Sequence, residues 1–341
     1  METSGQNLKE VLGPFAGLAG WIYAQILPDR LNFWPDQLKF WVPLGCGFIV
    51  VDLFYRCLNR PRSESFWSYA APWRVYIHKS AVLDYKFVFV QKLATLFIIA
   101  PLLVSELALG KWGARILVSW LGPGPGWTAG PLSLAVFGAI GLVLFDIGHT
   151  VTHYIQHKVP FFWEFHKIHH AAEVLTPVTS FRTHPVSLVL ESLFQGPLQA
   201  LGLACFYYLY GVQPTVLAFV GISSFIIVCY LIGHLRHTHV WISFGPKLEH
   251  IFSSPAQHQI HHSRAPRHLD TNYSQYFAFL DWIGGTLYVP KGQEELDFGL
   301  IEGPDPELTT VWSLYWVPMK RAFRGLLPAP SAVRNSRSSA A

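Results

Sequence analysis

The chain has 341 residues, of which 51% are hydrophobic, 15% are aromatic and only 13% are charged. An average soluble domain carries about 25% charged residues, so this composition excludes a surface that faces mainly water. The formal net charge is +4, and the basic residues are dispersed, without the Lys/Arg runs of nucleic-acid-binding proteins. We therefore predict an integral membrane protein that has no nucleic acid among its partners.

Six apolar stretches approach the length of roughly 20 residues that a membrane-spanning helix needs. They cover 11–27, 40–55, 87–107, 131–148, 186–210 and 212–233. The weaker stretches, such as the first, which Pro14 interrupts, also fit re-entrant or interfacial segments. The predicted fold class is therefore all-α, with about four to six transmembrane helices.

The distribution of Lys and Arg predicts the orientation in the membrane. Segment 56–92 contains seven of these residues, the histidine-rich segments contain seven more, and residues 320–337 of the C-terminal tail contain five. Segment 108–130, predicted to be a loop, contains only Lys111 and Arg115. Under the positive-inside rule, the histidine-rich segments and the tail lie on the cytosolic side of a multi-pass protein. The membrane would be the endoplasmic reticulum in a eukaryote or the inner membrane in a bacterium.

Histidine has the most unusual distribution in the sequence. The chain contains 16 histidines, and all except His78 lie within 149–268. Three of them recur every four residues from His149, so they share one face of a helix, and an HxxHH pattern occurs at 166–170 and again at 258–262. A lone histidine near a membrane is usually a core or interfacial residue, but this combination favours a metal site because imidazole is a common ligand of iron, zinc and copper. One metal takes about four to six ligands, so nine or ten clustered histidines indicate two metals.

The arrangement resembles the fatty acid hydroxylase superfamily, a membrane di-iron group that includes sterol desaturases, sterol methyl oxidases and alkylglycerol monooxygenase. Its members show HxxxH, then HxxHH, then a lone His, and then a second HxxHH that precedes Asn-Tyr and a WDxxFGT-like end. The resemblance covers about 145–289, including Asn272-Tyr273 and the closing segment 280–286. It implies ten metal ligands, namely His153, His157, His166, His169, His170, His184, His237, His258, His261 and His262.

The resemblance also implies a cofactor, partners and an activity. The cofactor would be two iron ions, and the enzyme would use O2 to hydroxylate or desaturate a lipid such as a sterol, a fatty acyl chain or a lipid head group. No catalytic residue is expected beyond the metal ligands. Because the sequence has no GxGxxG motif after a strand, no cysteine cluster and no heme-binding module, we expect an external electron donor, a ferredoxin or a b-type cytochrome with its reductase.

The implied organisation has three parts: N-terminal transmembrane helices over 1–130, a fatty acid hydroxylase-like catalytic domain over 131–290 and a cytosolic tail over 291–341. Two other interpretations stay open, a membrane metal transporter or sensor and an inactive family member that acts as a scaffold. A transporter would need ionisable residues along a pathway inside the membrane, whereas these histidines lie after or between the apolar stretches.

Several residues near the histidines have no assigned role. His149, His234 and His239 remain ambiguous. An acid beside a ligand histidine often accepts the second ring N–H, and a solvated or interfacial position is its ordinary alternative. The acids to which this applies are Asp146, Glu164, Glu173 and Glu249.

Overall fold

The computed structural model describes residues 65–95, 102, 104–211 and 235–325. Within these ranges the chain is helical and has no strand, apart from an isolated bridge between Ser263 and Phe298, which confirms the all-α class there. The described α-helices are α1 (Phe66–Ala70), α2 (Trp73–Tyr76), α3 (Lys79–Ala94), α4 (Glu106–Leu121), α5 (Pro131–Lys158), α6 (Pro160–His170), α7 (Pro185–Tyr210), α8 (Pro255–His261), α9 (Ala278–Gly284) and α10 (Val311–Gly325). Short 3₁₀ helices cover Pro177–Phe181, Leu248–His250 and Pro266–His268.

Helices α5 and α7 are long and apolar enough to cross a membrane, as judged by length and composition. They contain 28 and 26 residues, or about 40 Å each at the rise of an α-helix, which exceeds the hydrocarbon thickness of about 30 Å. Only 17% of the most apolar window in each helix is buried, so most of the residues in these windows are half-buried or exposed. The two helices contain the predicted stretches 131–148 and 186–210, and α5 continues beyond the first of these to carry three histidines.

The predicted stretch 87–107 is not a single helix, because α3 ends and α4 begins inside it. The Ser105 hydroxyl accepts the N–H of Ala108 at 3.2 Å and caps α4, and Glu106 stands in the first turn. A serine cap followed by an acid is a strong helix start. Mean hydropathy does not register such a signal, which is why the prediction joined two helices.

The prediction of a loop over 108–130 is wrong for its first half, where α4 continues to the residue before Gly122. Gly122 is the C-cap residue and has a φ of 80°, a positive value that glycine adopts readily because it has no Cβ. The predicted stretches that lie outside the described residues are 11–27, 40–55 and 212–233.

Helices α4, α5 and α7 pack together through small residues. A Cβ placed on Gly110 of α4 would lie 2.7 Å from the Cβ of Leu203 in α7. A Cβ placed on Gly148 of α5 would lie 2.9 Å from the Cα of Gln195, also in α7. Small residues allow this close approach of helix backbones, as in membrane helix bundles.

A second layer, formed by α3, α6 and α10, covers the end of this bundle. Its apolar core includes the buried residues Phe87, Ile168, Leu314 and Val317. Helix α6 follows α5 after the single residue Val159, and a proline occupies the first position of α6, where proline is well tolerated. The layer therefore lies beside the C-terminal end of α5, where the histidines begin.

Candidate metal centre

Nine histidines form two adjoining groups. The first group contains His153, His157, His166, His170 and His261, and the second contains His169, His237, His258 and His262. Within each group the candidate ligand nitrogens all lie within 4.8 Å of one another. All nine side chains are buried except that of His157, which is half-buried. The groups touch each other, since the ring centroids of His170 and His262 are 4.5 Å apart.

The first group is built by three helices. α5 contributes His153 and His157, one turn apart, with ring centroids separated by 5.0 Å. α6 contributes His166 and His170, also one turn apart, with their Nε2 atoms at 3.2 Å. α8 adds His261, whose ring centroid lies 4.5 Å from that of His153. The four-residue spacing thus places the two histidines of each pair on one face of their helix. In the structure, the histidine faces of α5 and α6 are opposite each other.

The second group brings four Nε2 atoms to nearly one point. The Nε2 atom of His237 lies 3.1 Å from that of His169, 3.0 Å from that of His262 and 2.9 Å from that of His258. A neutral imidazole carries a single N–H, so these four nitrogens cannot all satisfy one another as donors and acceptors. Converging lone pairs of this kind suit a cation.

The first group has a matching deficit of hydrogen bonds. The Nε2 atoms of His157 and His261 are buried and have no hydrogen-bond partner within the described part of the chain. Leaving a buried polar atom unpaired costs about 1–3 kcal/mol. A metal ion would remove that cost in both groups, so the donor set fits a pair of metal ions.

Backbone carbonyls set the orientation of two rings in the first group. The Nδ1 of His153 lies 2.8 Å from the carbonyl oxygen of Tyr273, and the Nδ1 of His261 lies 2.7 Å from that of Thr271. A carbonyl oxygen only accepts, so each Nδ1 carries the proton and donates it. The Nε2 lone pair of each ring is therefore free for a metal, which is the usual arrangement around ligand histidines.

The second group is oriented by different partners. The Nδ1 of His237 lies 2.9 Å from the Ser180 hydroxyl. The Nδ1 of His258 lies 2.7 Å from Nη2 of the buried Arg236, which also donates to the carbonyl of Ser274 at 2.9 Å. A guanidinium only donates, so Nδ1 of His258 accepts, and without an ion the ring proton of this neutral imidazole resides on Nε2. His258 would therefore offer Nε2 to a metal only after losing that proton, since metal binding releases protons from its ligands. Burial lowers the pKa of Arg236 to about 10, so the group stays charged at neutral pH.

The electrostatics of the site favour neutral imidazoles. Burial, with a further contribution from the charges of Arg182 and Arg236, lowers the pKa of His169 to about 3. Burial likewise lowers the pKa of His261 to about 3, against an opposing hydrogen bond to Thr271. Both rings are therefore unprotonated at neutral pH, which is the form that binds metals.

The segment that contains this site matches a known family. Residues 138–286 match the family model described as fatty acid hydroxylase, and all nine clustered histidines lie within the match. The chain carries a fatty acid hydroxylase domain. No solved structure shows a significant match to the chain.

Relatives of the fatty acid hydroxylase domain carry different names. Ornithine lipid hydroxylase OlsE from Rhizobium tropici is 30% identical over 161 residues, which are 47% of this chain and 44% of the relative. Alkylglycerol monooxygenase from Homo sapiens is 28% identical over 180 residues, 50% of this chain and 36% of the relative. Cholesterol 25-hydroxylase-like protein from Danio rerio is 28% identical over 179 residues, 50% of this chain and 61% of the relative. The chain thus spans less than half of the first two proteins and under two thirds of the third.

Two aspartates hold the segment of the fatty acid hydroxylase domain that supplies the Tyr273 carbonyl. Asp146 of α5 accepts the backbone N–H groups of Gln275, Tyr276 and Phe277 at 2.7, 2.9 and 2.6 Å. Asp281 accepts the backbone N–H of Tyr273 at 2.7 Å. The position of Asp146 in the sequence also allows it to accept a histidine N–H, and the structure shows its carboxylate accepting these backbone N–H groups instead.

The three glutamates do not meet the ligand histidines either. Glu164 pairs with Lys167, and Glu173 pairs with Lys79. Glu249 accepts the hydroxyl of Ser254, the N-cap residue of α8, at 2.7 Å. Within the described ranges, Glu249 therefore secures the start of the helix that carries the second HxxHH pattern.

Asn272, the first residue of the Asn-Tyr pair of the fatty acid hydroxylase domain, stabilises a turn. Asn272 has a φ of 56°, in a left-handed region that asparagine tolerates better than most residues. Its Nδ2 donates to the carbonyl of Gln257 at 3.1 Å, and its Oδ1 accepts the N–H of Tyr288 at 2.8 Å. The turn so formed presents the carbonyls of Thr271 and Tyr273 to two candidate ligands.

One predicted ligand lies outside both groups. His184 caps α7: its Nδ1 accepts the N–H of Val186 at 3.1 Å, and its Nε2 donates to the carbonyl of Tyr315 at 3.1 Å. Both ring nitrogens are occupied, so His184 is left out of the candidate ligand set. The Arg-x-His-Pro motif here marks the start of a helix, since the proline is the first residue of α7.

Two of the unassigned histidines, His149 and His239, also lie outside the two groups. His149 stacks on Phe145 at a centroid distance of 6.3 Å, and its ring centroid lies 5.3 Å from that of His153. The Nε2 of His239 donates to the carbonyl of Tyr69 at 2.6 Å. His234 lies outside the described residues. Sequence reasoning missed Arg236 and Ser180, since no motif marks a residue that acts only through a neighbouring ring.

A cavity of about 580 Å³ opens on the histidines. Its inner wall includes His157, His170, His261 and His262. Its apolar walls are formed by Trp163, Leu269, Leu300 and Ile301, and its charged lining consists of Lys167, Arg264, Asp270, Glu302 and Asp305. The cavity gives the candidate metal centre of the fatty acid hydroxylase domain a route to a molecule that has both apolar and charged parts.

Proposed function

We propose that this protein is a membrane-bound oxidoreductase that hydroxylates or desaturates a lipid at a di-iron centre, using O2 and electrons from a separate protein. The observation that carries the proposal is the convergence of nine histidines in two adjoining groups at the end of a membrane-length helix. The match to fatty acid hydroxylases and the names of the relatives support lipid oxidation.

We assign one iron to each group of histidines. The first group offers five nitrogen donors and the second offers four, whereas a structural zinc site closes with four ligands that are often cysteines. Nitrogen-rich shells that leave a position open suit iron. When bound, the two irons would supply the activation of O2 and the removal of hydrogen from an unactivated C–H bond, chemistry that belongs to the metals themselves.

The protein residues would bind the metals, orient the ligand rings and shield the metal centre from bulk water. Neutral imidazoles would offer lone pairs, and the carbonyls of Thr271 and Tyr273 would hold two rings at fixed angles through Nδ1. Burial of the ligands would keep bulk water away from the centre. A lipid would lie in the cavity beside His157 and His261. No protein acid or base is assigned a step in the reaction.

The proposed membrane arrangement follows from the positions of α5 and α7 relative to the histidines. Helices α5 and α7 would cross the bilayer, and the histidine end of α5 would emerge on the cytosolic side, as the distribution of Lys and Arg favours. The parts would be transmembrane helices over 1–130, the catalytic domain over 131–290 and a cytosolic tail over 291–341. The membrane would be the endoplasmic reticulum or a bacterial inner membrane, and the electron donor a ferredoxin or a b-type cytochrome with its reductase.

The substrate is proposed only as a class, a lipid with a polar head group. The relatives are named for an ornithine lipid, an alkylglycerol and cholesterol, so their names do not single out one compound. Both cations and acids line the cavity next to apolar side chains, which suits a molecule with a charged head and an aliphatic part.

Two measurements test the proposal. The purified full chain is expected to hold two irons and to consume O2 when reduced in the presence of lipid. Mass spectrometry of lipids from cells with and without the gene is expected to show one lipid that gains the mass of one oxygen atom on hydroxylation, or loses the mass of two hydrogens on desaturation.

The variants His169→Ala and His261→Ala, one in each group, are expected to lose iron and activity. The exposed His250, outside both groups, provides the control His250→Ala, which should retain both. Retention of both irons in His169→Ala and His261→Ala would contradict the assignment. Metal uptake into vesicles without O2 consumption would favour a transporter instead.

A further inference from the structure

Helix α10 has an exposed aromatic stripe that the proposed reaction does not use. Trp312 is 75% exposed, Trp316 61% and Phe323 52%. With Met319, these residues follow the spacing of one helical face. An exposed apolar patch of this kind commonly marks an interaction surface.

The opposite face of α10 is already buried in the protein. Leu314 and Val317 pack with Phe87 of α3 and Ile168 of α6, and Ala322 is also buried. The aromatic stripe is therefore a second apolar face, beyond the one that folding requires.

Two contacts fix the level of α10 relative to the proposed membrane spans. The carbonyl of Tyr315 accepts from His184, the residue immediately before α7. The ring of Phe323 lies 5.6 Å from that of Phe161, three residues after the last residue of α5, Lys158. One end of α10 thus lies beside the start of α7, and the other lies near the end of α5. The helix lies at the level where both spans end.

The charges on α10 complement a phospholipid surface. Lys320 and Arg324 are exposed and lie along one side of the aromatic stripe. Arg321, on the buried side, is instead paired with Asp305 and Glu307. A helix with aromatic residues on one face and basic residues beside them has the pattern of an interfacial helix, since Trp favours the head-group level and long cations reach lipid phosphates.

We propose that α10 is an interfacial membrane-binding helix. Trp312, Trp316 and Phe323 enter the boundary between head groups and acyl chains of the bilayer that α5 and α7 cross, and Lys320 and Arg324 contact the phosphates of anionic lipids. The inference rests on the proposed membrane spans and not on the proposed reaction. Because α10 packs on α6, which carries three candidate ligands, the contact would hold the metal centre against the membrane surface.

Spin-label accessibility in nanodiscs tests the inference with the full chain. After the native cysteines are replaced, a nitroxide is attached to Trp312→Cys or Trp316→Cys. Its collisions with O2, which concentrates in lipid, are compared with its collisions with a water-soluble nickel chelate. Val136→Cys, an exposed site within α5, is the lipid control, and Gln293→Cys, an exposed site outside the helices, is the aqueous control.

The labels on α10 are expected to collide more with O2 than with nickel, as the label at Val136 does and the label at Gln293 does not. If the labels at positions 312 and 316 collide more with nickel, while the label at Val136 collides more with O2, the inference is overturned and the proposed spans are retained. Aqueous behaviour at all of these sites would remove the spans as well. Dipolar broadening between labels of two chains would show that a second copy covers the stripe, which also overturns the inference. Lipid oxidation in the same nanodiscs is measured separately, so failure of the reaction remains distinguishable.

Photolabelling provides a test on the unmodified chain, which does not depend on the folding of cysteine variants. Phospholipids with a diazirine in the acyl chain are expected to label peptides from α10, with a higher yield for phosphatidylglycerol than for phosphatidylcholine. The double variant Lys320→Gln/Arg324→Gln should lose that preference. An α10 peptide labelled no more than the peptide around Gln293 would contradict the inference.

Discussion

At the scale of single residues, the ring nitrogens that do not face the proposed metals determine the ligand geometry. His153 and His261 both donate through Nδ1 to backbone carbonyls of one turn, and that turn is held by Asp146 and Asp281. The order of the histidine motifs predicted nine residues that the structure brings together. It could not predict the carbonyls that orient them, because a backbone oxygen has no side-chain signature.

The backbone role of Asp146 leads to a prediction for Asp146→Asn. The carboxylate accepts three backbone N–H groups, and an amide would turn its NH2 toward at least one of them. Leaving such a buried donor unpaired should lower the free energy of unfolding by about 1–3 kcal/mol, and the shifted Tyr273 carbonyl should weaken iron retention. Denaturant unfolding in detergent and iron analysis measure the two effects. The exposed Glu295 supplies the control Glu295→Gln, and equal behaviour of the two variants would contradict the role.

His184 offers a second prediction, which separates a helix cap from a ligand. Burial lowers the pKa of His184 to about 4, against an opposing hydrogen bond to Tyr315. Above a pH of about 6.5, the pKa of a free imidazole, the ring is neutral in both states and the folded state keeps its full stability. As the pH falls from about 6.5 toward 4, the unfolded ring takes up a proton that the folded ring does not. The free energy of unfolding then falls by about 1.4 kcal/mol per pH unit.

The variant His184→Asn retains a capping oxygen and lacks this titration. It should keep its iron, be less stable than the wild type at pH 7 by about 1 kcal/mol for the lost hydrogen bond to Tyr315, and match or exceed the wild type near pH 5. Urea unfolding at several pH values, with iron analysis of each sample, measures this crossing. Loss of iron would return His184 to the ligand set.

At the scale of secondary-structure elements, hydropathy predicted α5 and α7 but failed over 87–107. The difference is physical, because α5 and α7 are apolar along most of their length, whereas α4 begins at the capping residue Ser105, inside the predicted stretch. Composition averages over such a break. The four-residue spacing of the histidines agrees with the continuation of α5 beyond the apolar stretch, because residues spaced by four share one face of a helix.

The close approach of α5 and α7 gives a prediction for two glycines on one face of α5. A Cβ at Gly148 would lie 2.9 Å from the Cα of Gln195, whereas a Cβ at Gly141 would meet nothing within 4 Å. Alanine favours a helix over glycine by about 1 kcal/mol, so Gly141→Ala should leave stability unchanged or raised. Gly148→Ala should lower it by about 1–3 kcal/mol, because a backbone atom cannot move aside as a side chain can. The midpoints of thermal unfolding in detergent measure both, and effects of the same sign would contradict the packing of α5 on α7.

At the scale of the whole molecule, the histidine groups connect parts of the chain that are far apart in sequence. The first group joins α5, α6 and α8, and the second joins α6 and α8 to the segment at His237. The sequence predicted that these parts meet, since two metals need ligands from several motifs. It could not predict which histidines share an ion, because that division depends on how α6 directs its neighbouring residues His169 and His170 into different groups.

This connectivity predicts the result of removing iron with a chelator. Without ions, four ring nitrogens that converge at about 3 Å cannot all satisfy one another as donors and acceptors, so α6 and α8 should loosen together. An ion present at 1,000 times its dissociation constant stabilises the folded state by about 4 kcal/mol, and its loss should lower the protection of backbone amides in both helices. Hydrogen–deuterium exchange before and after chelation measures this change. The interface of α4 with α7 at Gly110 and Leu203 serves as the internal control, because it lies outside the histidine groups and should keep its protection. Loosening of only one of α6 and α8 would mean that the two do not share a metal centre, since α6 and α8 supply ligands to both groups.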